Sequence, residues 1–197
     1  LDIIAQLGET LSFRKSPEDK DDAAAFLAEE LQKVRTMFPT VAGFDRDFPS
    51  VAFSIATGVG KTRLMGACIA YLYLKKGIRN FFVLAPNLTI YDKLIEDFGN
   101  PGYHKYVFNG IPEFVHNRPV IITGDNYAQQ GNLFEASEIR INIFNIAKFN
   151  SENRGTKQGG VSLAPRIKRL SEYLGQSYWD YLSKLDDLVI LMDEAHR

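Results

Sequence analysis

Gly58-Val59-Gly60-Lys61-Thr62 and Asp193-Glu194-Ala195-His196 are the stretches of this chain whose residue types and spacing suit chemistry. Two glycines one residue apart let backbone amides approach an anion with no side chain in the way. A lysine and a threonine hydroxyl follow directly. The strict phosphate-loop pattern asks for glycine, four residues, then Gly-Lys-Ser/Thr, and its first glycine falls on Ile55. The strict pattern is therefore missed. The crowded part of such a loop is Thr57 to Thr62, however, and there both glycines are present. Lys61 would reach the outer phosphates and Thr62 would hold Mg²⁺. The competing reading is a glycine turn with a solvated lysine. Asp193-Glu194 end the apolar run "DLVILMD", at the strand end where open α/β sheets bind ligands. One carboxylate there can hold the metal and the next can orient an attacking water. An acidic strand end that caps a following helix is the alternative.

The elements around these residues must supply a strand, a turn and a helix in that order. "VAFSI", 51 to 55, reads as a short strand, and "TRLMGACIAYLYLKK", 62 to 76, as a helix apolar around most of its circumference and stopped by Gly77. Upstream, Ser16 and Pro17 predict a helix start. Ala23, Phe26, Leu27, Leu31, Val34 and Met37 predict an amphipathic helix over 17 to 37. Downstream, strands are expected at 80 to 86, 119 to 124, 139 to 146 and 187 to 193. Helices are expected at 88 to 98, opened by Asn87, and at 165 to 185 with a break at Gly175. "SENRGTKQGG", 151 to 160, reads as a loop. Nearly continuous apolar strands bracketed by helices imply a parallel sheet covered on both faces.

Composition removes several function classes. A formal net charge of −1 gives no bulk attraction for a polyanion, so any nucleic-acid contact must be local. Cys68, the one cysteine, cannot form an internal disulfide, which favours a cytoplasmic location. No apolar run approaches the roughly 18 residues of a membrane span, and no export signal is visible. The chain starts at Leu1 and stops at Arg197, directly after the acidic motif, and reads as a fragment of a longer chain: one domain over 1 to 197, with 1 to 45 as a helical lead-in.

Together "ATGVGKT", 56 to 62, and "DEAHR", 193 to 197, resemble the first motor domain of superfamily 2 helicases and translocases, the DEAD/DEAH-box class. The wording is most similar to the motor (Res) subunit of type III restriction enzymes. "VLAPNLTIYDKLIEDF", 83 to 98, looks like that group's motif Ia and "DLVILMDEAHR" like its motif II. The resemblance covers most of residues 50 to 197. It implies a RecA-like P-loop NTPase fold, a mostly parallel sheet with helices on both faces in a three-layer sandwich. It also implies ATP and Mg²⁺ as cofactors. Thr57, Gly58, Val59, Gly60, Lys61, Thr62 and Arg63 would then surround the nucleotide. Thr62 and Asp193 would hold the metal, Glu194 would activate water, and His196 would couple hydrolysis to DNA. Pro86, Asn87, Thr123 and Gly124 match positions where the family's first domain touches the nucleic-acid backbone. An aromatic-glutamine setting that reads adenine is not recognisable around Gln6 or Gln32.

Plain readings compete at each of these positions. Pro86-Asn87 also suits a strand end and a helix cap, Thr123-Gly124-Asp125 also makes a turn, and Arg166, Lys168 and Arg169 fit a solvated helix face. Cys68 suits a core, and His104 and His116 lack metal-ligand spacing. The expected function is that of an ATP-hydrolysing DNA helicase or translocase motor, weakly active as a fragment. Expected partners are duplex DNA, a second RecA-like domain and a modification methyltransferase, with no membrane. Alternatives are an RNA helicase or remodeller motor, a nucleotide-dependent switch that does not translocate and, more distantly, a small-molecule kinase.

Overall fold

The computed structural model describes residues 2–56, 58–124, 126–127, 139–145, 170–171 and 176–193. They fall into two compact units, Leu1–Lys61 and Thr62–Arg197.

In the first unit, α1 (Asp2–Thr10) and α2 (Lys20–Met37) pack together, with Thr10 Oγ1 3.5 Å from Met37 Sδ. The apolar stripe expected on α2 is the face turned inward, with Phe26 and Val34 buried. Its start differs from expectation. Asp19, not Ser16, caps the helix, its carboxylate accepting from the amides of Asp21 at 2.9 Å and Asp22 at 3.2 Å. A carboxylate facing two orphan amides at the positive end of a helix is a stronger cap than a hydroxyl, so Pro17 and Glu18 stay outside. Glu30 interrupts the apolar stripe. It is 1% exposed and accepts from the Ser12 amide at 2.9 Å, the Ser12 hydroxyl at 2.5 Å and Lys33 Nζ at 2.8 Å. Three donors satisfy the buried carboxylate and tie the segment after α1 to the middle of α2.

Residues 51–56 are irregular, against the expected strand, with Val51 and Phe53 exposed. β-branched and aromatic residues favour a strand only where a neighbouring ladder takes their backbone groups. Among its described residues, the first unit offers only helices.

The second unit is built on a sheet of order β2-β3-β1-β6, every pair parallel. Its strands are β1 (Asn80–Ala85), β2 (Val120–Thr123), β3 (Arg140–Asn145) and β6 (Leu188–Met192). All four lie where the apolar runs place them. β3 is buried throughout and β1 nearly so, as central strands covered on both faces must be. Helix α3 (Lys61–Lys76) precedes β1, and α4 (Leu88–Gly99) follows it. Successive strand residues face opposite sides of the sheet. Ile121 meets α4, where a Cβ at Gly99 would lie 2.7 Å from Ile121 Cγ1. Phe82, Ile122 and Phe144, on the other face, pack with Tyr178, Tyr181 and Leu182. Those three belong to α6 (Tyr178–Ser183), so the sheet has a helix on each face. This is the RecA-like α/β arrangement.

Three elements were not foreseen. A helix was expected over 165–185, but β4 (Leu170–Ser171) pairs antiparallel with β5 (Gln176–Ser177), and among the described residues of that span only α6 is helical. Local propensity yields there to the gain from seating Tyr178, Tyr181 and Leu182 on the sheet. A short helix, α5 (Pro112–His116), carries Phe114 into a stack with Phe108, ring centroids 4.3 Å apart. Cys68 is buried in α3, as expected of a core residue. The loop 151–160 and Arg166, Lys168 and Arg169 lie outside the described residues.

Candidate functional site

Gly58 and Gly60 both adopt left-handed backbone conformations, φ +83° and +105°, a region L side chains rarely enter. A Cβ at Gly58 would meet nothing within 4 Å, so the chain is open on that side. Val59 between them is 71% exposed, and Lys61 is the first residue of α3. The first turn of α3 contains no acidic residue, while its last turn carries Lys75 and Lys76. The positive end of its dipole thus carries no acidic side chain in its own first turn, and its carbonyl end is balanced by cations. Thr57 lies outside the described residues.

In the second unit, Thr62 is half-buried and its hydroxyl oxygen accepts from Lys93 Nζ at 3.1 Å. Lys93 also donates to Asp97 Oδ2 at 2.6 Å, one helical turn further along α4, and the Asp97 side chain is 2% exposed. Arg63 points outward and is exposed.

Because all four strands are parallel, their C-terminal ends share one edge of the sheet. Asp193 stands there, half-buried, directly after β6, and its amide donates to Leu84 O at 3.3 Å, extending the β6–β1 ladder by one step. Pro86 and Asn87 follow β1 at the same edge. Asn87 caps α4, its Oδ1 accepting from the Ile90 amide at 2.9 Å. Thr123 ends β2 and is 8% exposed. Its amide donates to Asn126 Oδ1 at 2.7 Å, and its carbonyl accepts from the amides of Asn126 and Tyr127. Gly124 lies 3.7 Å, measured from the place of a Cβ, from the ring of Phe144. The cap and turn readings of these positions are therefore realised in the backbone. Glu194, His196 and Arg197 lie outside the described residues.

The family model of the type III restriction enzyme, Res subunit, matches residues 20–197. The chain belongs to this family. Over 70 residues this Res-family chain is 37% identical to a probable type III restriction-modification enzyme HindVIP Res subunit of Haemophilus influenzae. The match covers 32% of the chain and 13% of that relative, so the chain spans only a small part of the relative's length. No solved structure matches. Family membership makes this Res domain a helicase-type P-loop domain, in general terms an ATP hydrolase. It also agrees with the wording of both motifs.

A hydroxyl such as that of Thr62 and a carboxylate such as that of Asp193 are hard oxygen donors of the kind Mg²⁺ takes, and in the other unit the left-handed Gly58 carries no Cβ on its open side. The chemistry of Thr62 and Asp193, taken within the second unit, suits Mg²⁺. Lys93 and Asp97 were not singled out in the sequence. Their i,i+4 spacing on an expected helix was visible, but the contact with Thr62 spans 31 positions and belongs to the fold. His104 is exposed and lies edge-on to Tyr103, and among the described residues no group of three metal-ligating side chains occurs. No helix among the described residues is long and apolar enough to cross a membrane.

Proposed function

We propose that this domain is the ATP-binding half of a motor that couples Mg²⁺-dependent ATP hydrolysis to movement along, or switching on, duplex DNA within a type III restriction system. The observation that carries the reading is the pair of left-handed glycines, Gly58 and Gly60, running directly into α3 at Lys61. Amides of 58–61 cradle the phosphates, Lys61 neutralises the outer ones, and Thr57, Val59 and Arg63 complete the loop. The Thr62 hydroxyl and the Asp193 carboxylate hold the cation. A bound Mg²⁺ would supply positive charge against the negative charge that develops on the outer phosphate. Glu194 orients and deprotonates the attacking water, and His196 links the hydrolytic state to the DNA-binding side. Pro86, Asn87, Thr123 and Gly124, at the same sheet edge as Asp193, line the path of the nucleic-acid backbone.

A second RecA-like domain supplies the other half of the nucleotide site, and a modification methyltransferase is the partner subunit. The protein works in the cytoplasm. Equilibrium binding of a fluorescent ADP, with and without Mg²⁺, tests the nucleotide part. Lys61→Ala is expected to weaken binding at least about tenfold, and Thr62→Ala to remove only the Mg²⁺-dependent share. Affinity that neither substitution changes would contradict the assignment.

A further inference from the structure

Lys93 stands where the assigned cation site and a buried carboxylate meet. Its ammonium has donors only, so in the 3.1 Å contact Thr62 Oγ1 must accept, on one of its two lone pairs. A Mg²⁺ on the same hydroxyl would lie about 2 Å from the oxygen, which puts the two positive charges roughly 4 Å apart. They repel at that distance. The ammonium and the cation therefore compete for Thr62.

The other side of the contact gives Lys93 somewhere to go. Asp97 is 2% exposed and holds Lys93 through Oδ2 at 2.6 Å. Its second oxygen, Oδ1, is buried and has no hydrogen-bond partner among the described residues. The Lys93 side chain is 40% exposed, so its stem is free to swing while the ammonium stays on the carboxylate. A buried acceptor without a donor is costly, and a second position for the lysine relieves that cost.

Resting on the nucleotide reading above, we propose that Lys93 is a positioning residue that shuttles on Asp97 and sets the Mg²⁺ requirement of the site. Without the cation, Lys93 bridges Asp97 Oδ2 and Thr62 Oγ1 and keeps the hydroxyl occupied. When Thr62 becomes a metal ligand, the ammonium withdraws to Asp97 alone and fills Oδ1. The cation thus binds against a local competitor, at a higher concentration than an open hydroxyl would require.

The test is the Mg²⁺ concentration that half-saturates binding of fluorescent ADP to the intact protein, measured beside binding in excess EDTA. Lys93→Met is expected to lower that concentration about tenfold, the worth of one lost charge-assisted hydrogen bond, and to change the EDTA affinity by less than about twofold. Lys93→Arg keeps the charge and the donors and should stay near the wild-type value. Because Lys93→Met strands a buried carboxylate, Lys93→Met combined with Asp97→Asn serves as the second variant and should give the same shift. A lysine that merely braces the helix pair would change both affinities together or neither. A Thr62-dependent Mg²⁺ response that stays put, or moves to higher concentration, in both variants overturns the proposal alone. A Mg²⁺ response that Thr62→Ala leaves intact removes the nucleotide reading of Thr62 and this proposal with it.

Discussion

Tyr178→Phe removes one oxygen from the place where α6 is fastened to the sheet. Tyr178 is fully buried, its hydroxyl donates to Asn142 Oδ1, and Asn142, 1% exposed, passes the connection on through Nδ2 to Phe81 O at 3.0 Å. Burial pushes the Tyr178 pKa up, so the hydroxyl remains a proton donor throughout the usable pH range. The substitution keeps the ring and its contacts with Tyr127, 5.0 Å between centroids, and Tyr181 at 5.7 Å. What is lost is the donor, and Asn142 Oδ1 is left buried and unfilled. The desolvation of such an acceptor costs about 1–3 kcal/mol, far more than the void of a single oxygen. Urea unfolding followed by fluorescence of Trp179, the one tryptophan of the chain and the neighbour of Tyr178 in sequence, is the assay. The expected result is a midpoint lowered by an amount equivalent to about 2 kcal/mol at unchanged slope. A change below about 0.5 kcal/mol would refute the reasoning, since that is the size of an ordinary surface substitution.

Three further outcomes are expected of the same fold. Burial raises the pKa of Glu30, but the hydrogen bonds from Lys33 and Ser12 outweigh it and hold the carboxyl below its ordinary value. A folded-state pKa below the unfolded one gives stability that is present above the ordinary glutamate range and lost as pH falls through the lower value. Acid titration of helicity should show that loss, and Glu30→Gln should flatten it while costing about 1–3 kcal/mol at neutral pH. Asn87→Ala should cost about 1 kcal/mol through the lost cap. Asn87→Asp keeps the cap and adds a negative charge, so weaker duplex-DNA binding at unchanged stability is expected, and unchanged binding would leave Asn87 as a cap alone. Burial pushes the Cys68 thiol up to about 11. Its alkylation at pH 8 should be more than about a hundredfold slower in the folded protein than in urea, read by mass spectrometry.

Most of the sheet was legible because its strands carry their burial in their own composition. "FFVLA" is apolar on both faces, as a covered parallel strand requires, whereas "VILM" is equally apolar though Ile190 and Met192 are exposed. Helix α4 was legible from Asn87, whose short amide side chain both caps a helix and follows a strand-ending proline. The parts that escaped depend on distant partners. Val51 to Ile55 has strand-forming residues but no ladder among the described residues of its unit. The helix expected over 165–185 is realised at Tyr178–Ser183, while Leu170-Ser171 and Gln176-Ser177 pair with each other, a choice that is not written in local propensity. At the site, the glycines announced their left-handed backbone through residue type. Lys93 gave no such signal, since its role depends on which side chain α3 places beside it.

The central claim is tested most directly by the steady-state ATPase rate of the intact protein, measured with and without duplex DNA and duplex RNA, beside Glu194→Gln. Hydrolysis that rises with duplex DNA, fails to rise with duplex RNA, and is lost in Glu194→Gln at retained nucleotide affinity is the expected result. Nucleotide binding with no DNA-stimulated turnover, or turnover that survives Glu194→Gln, would contradict it.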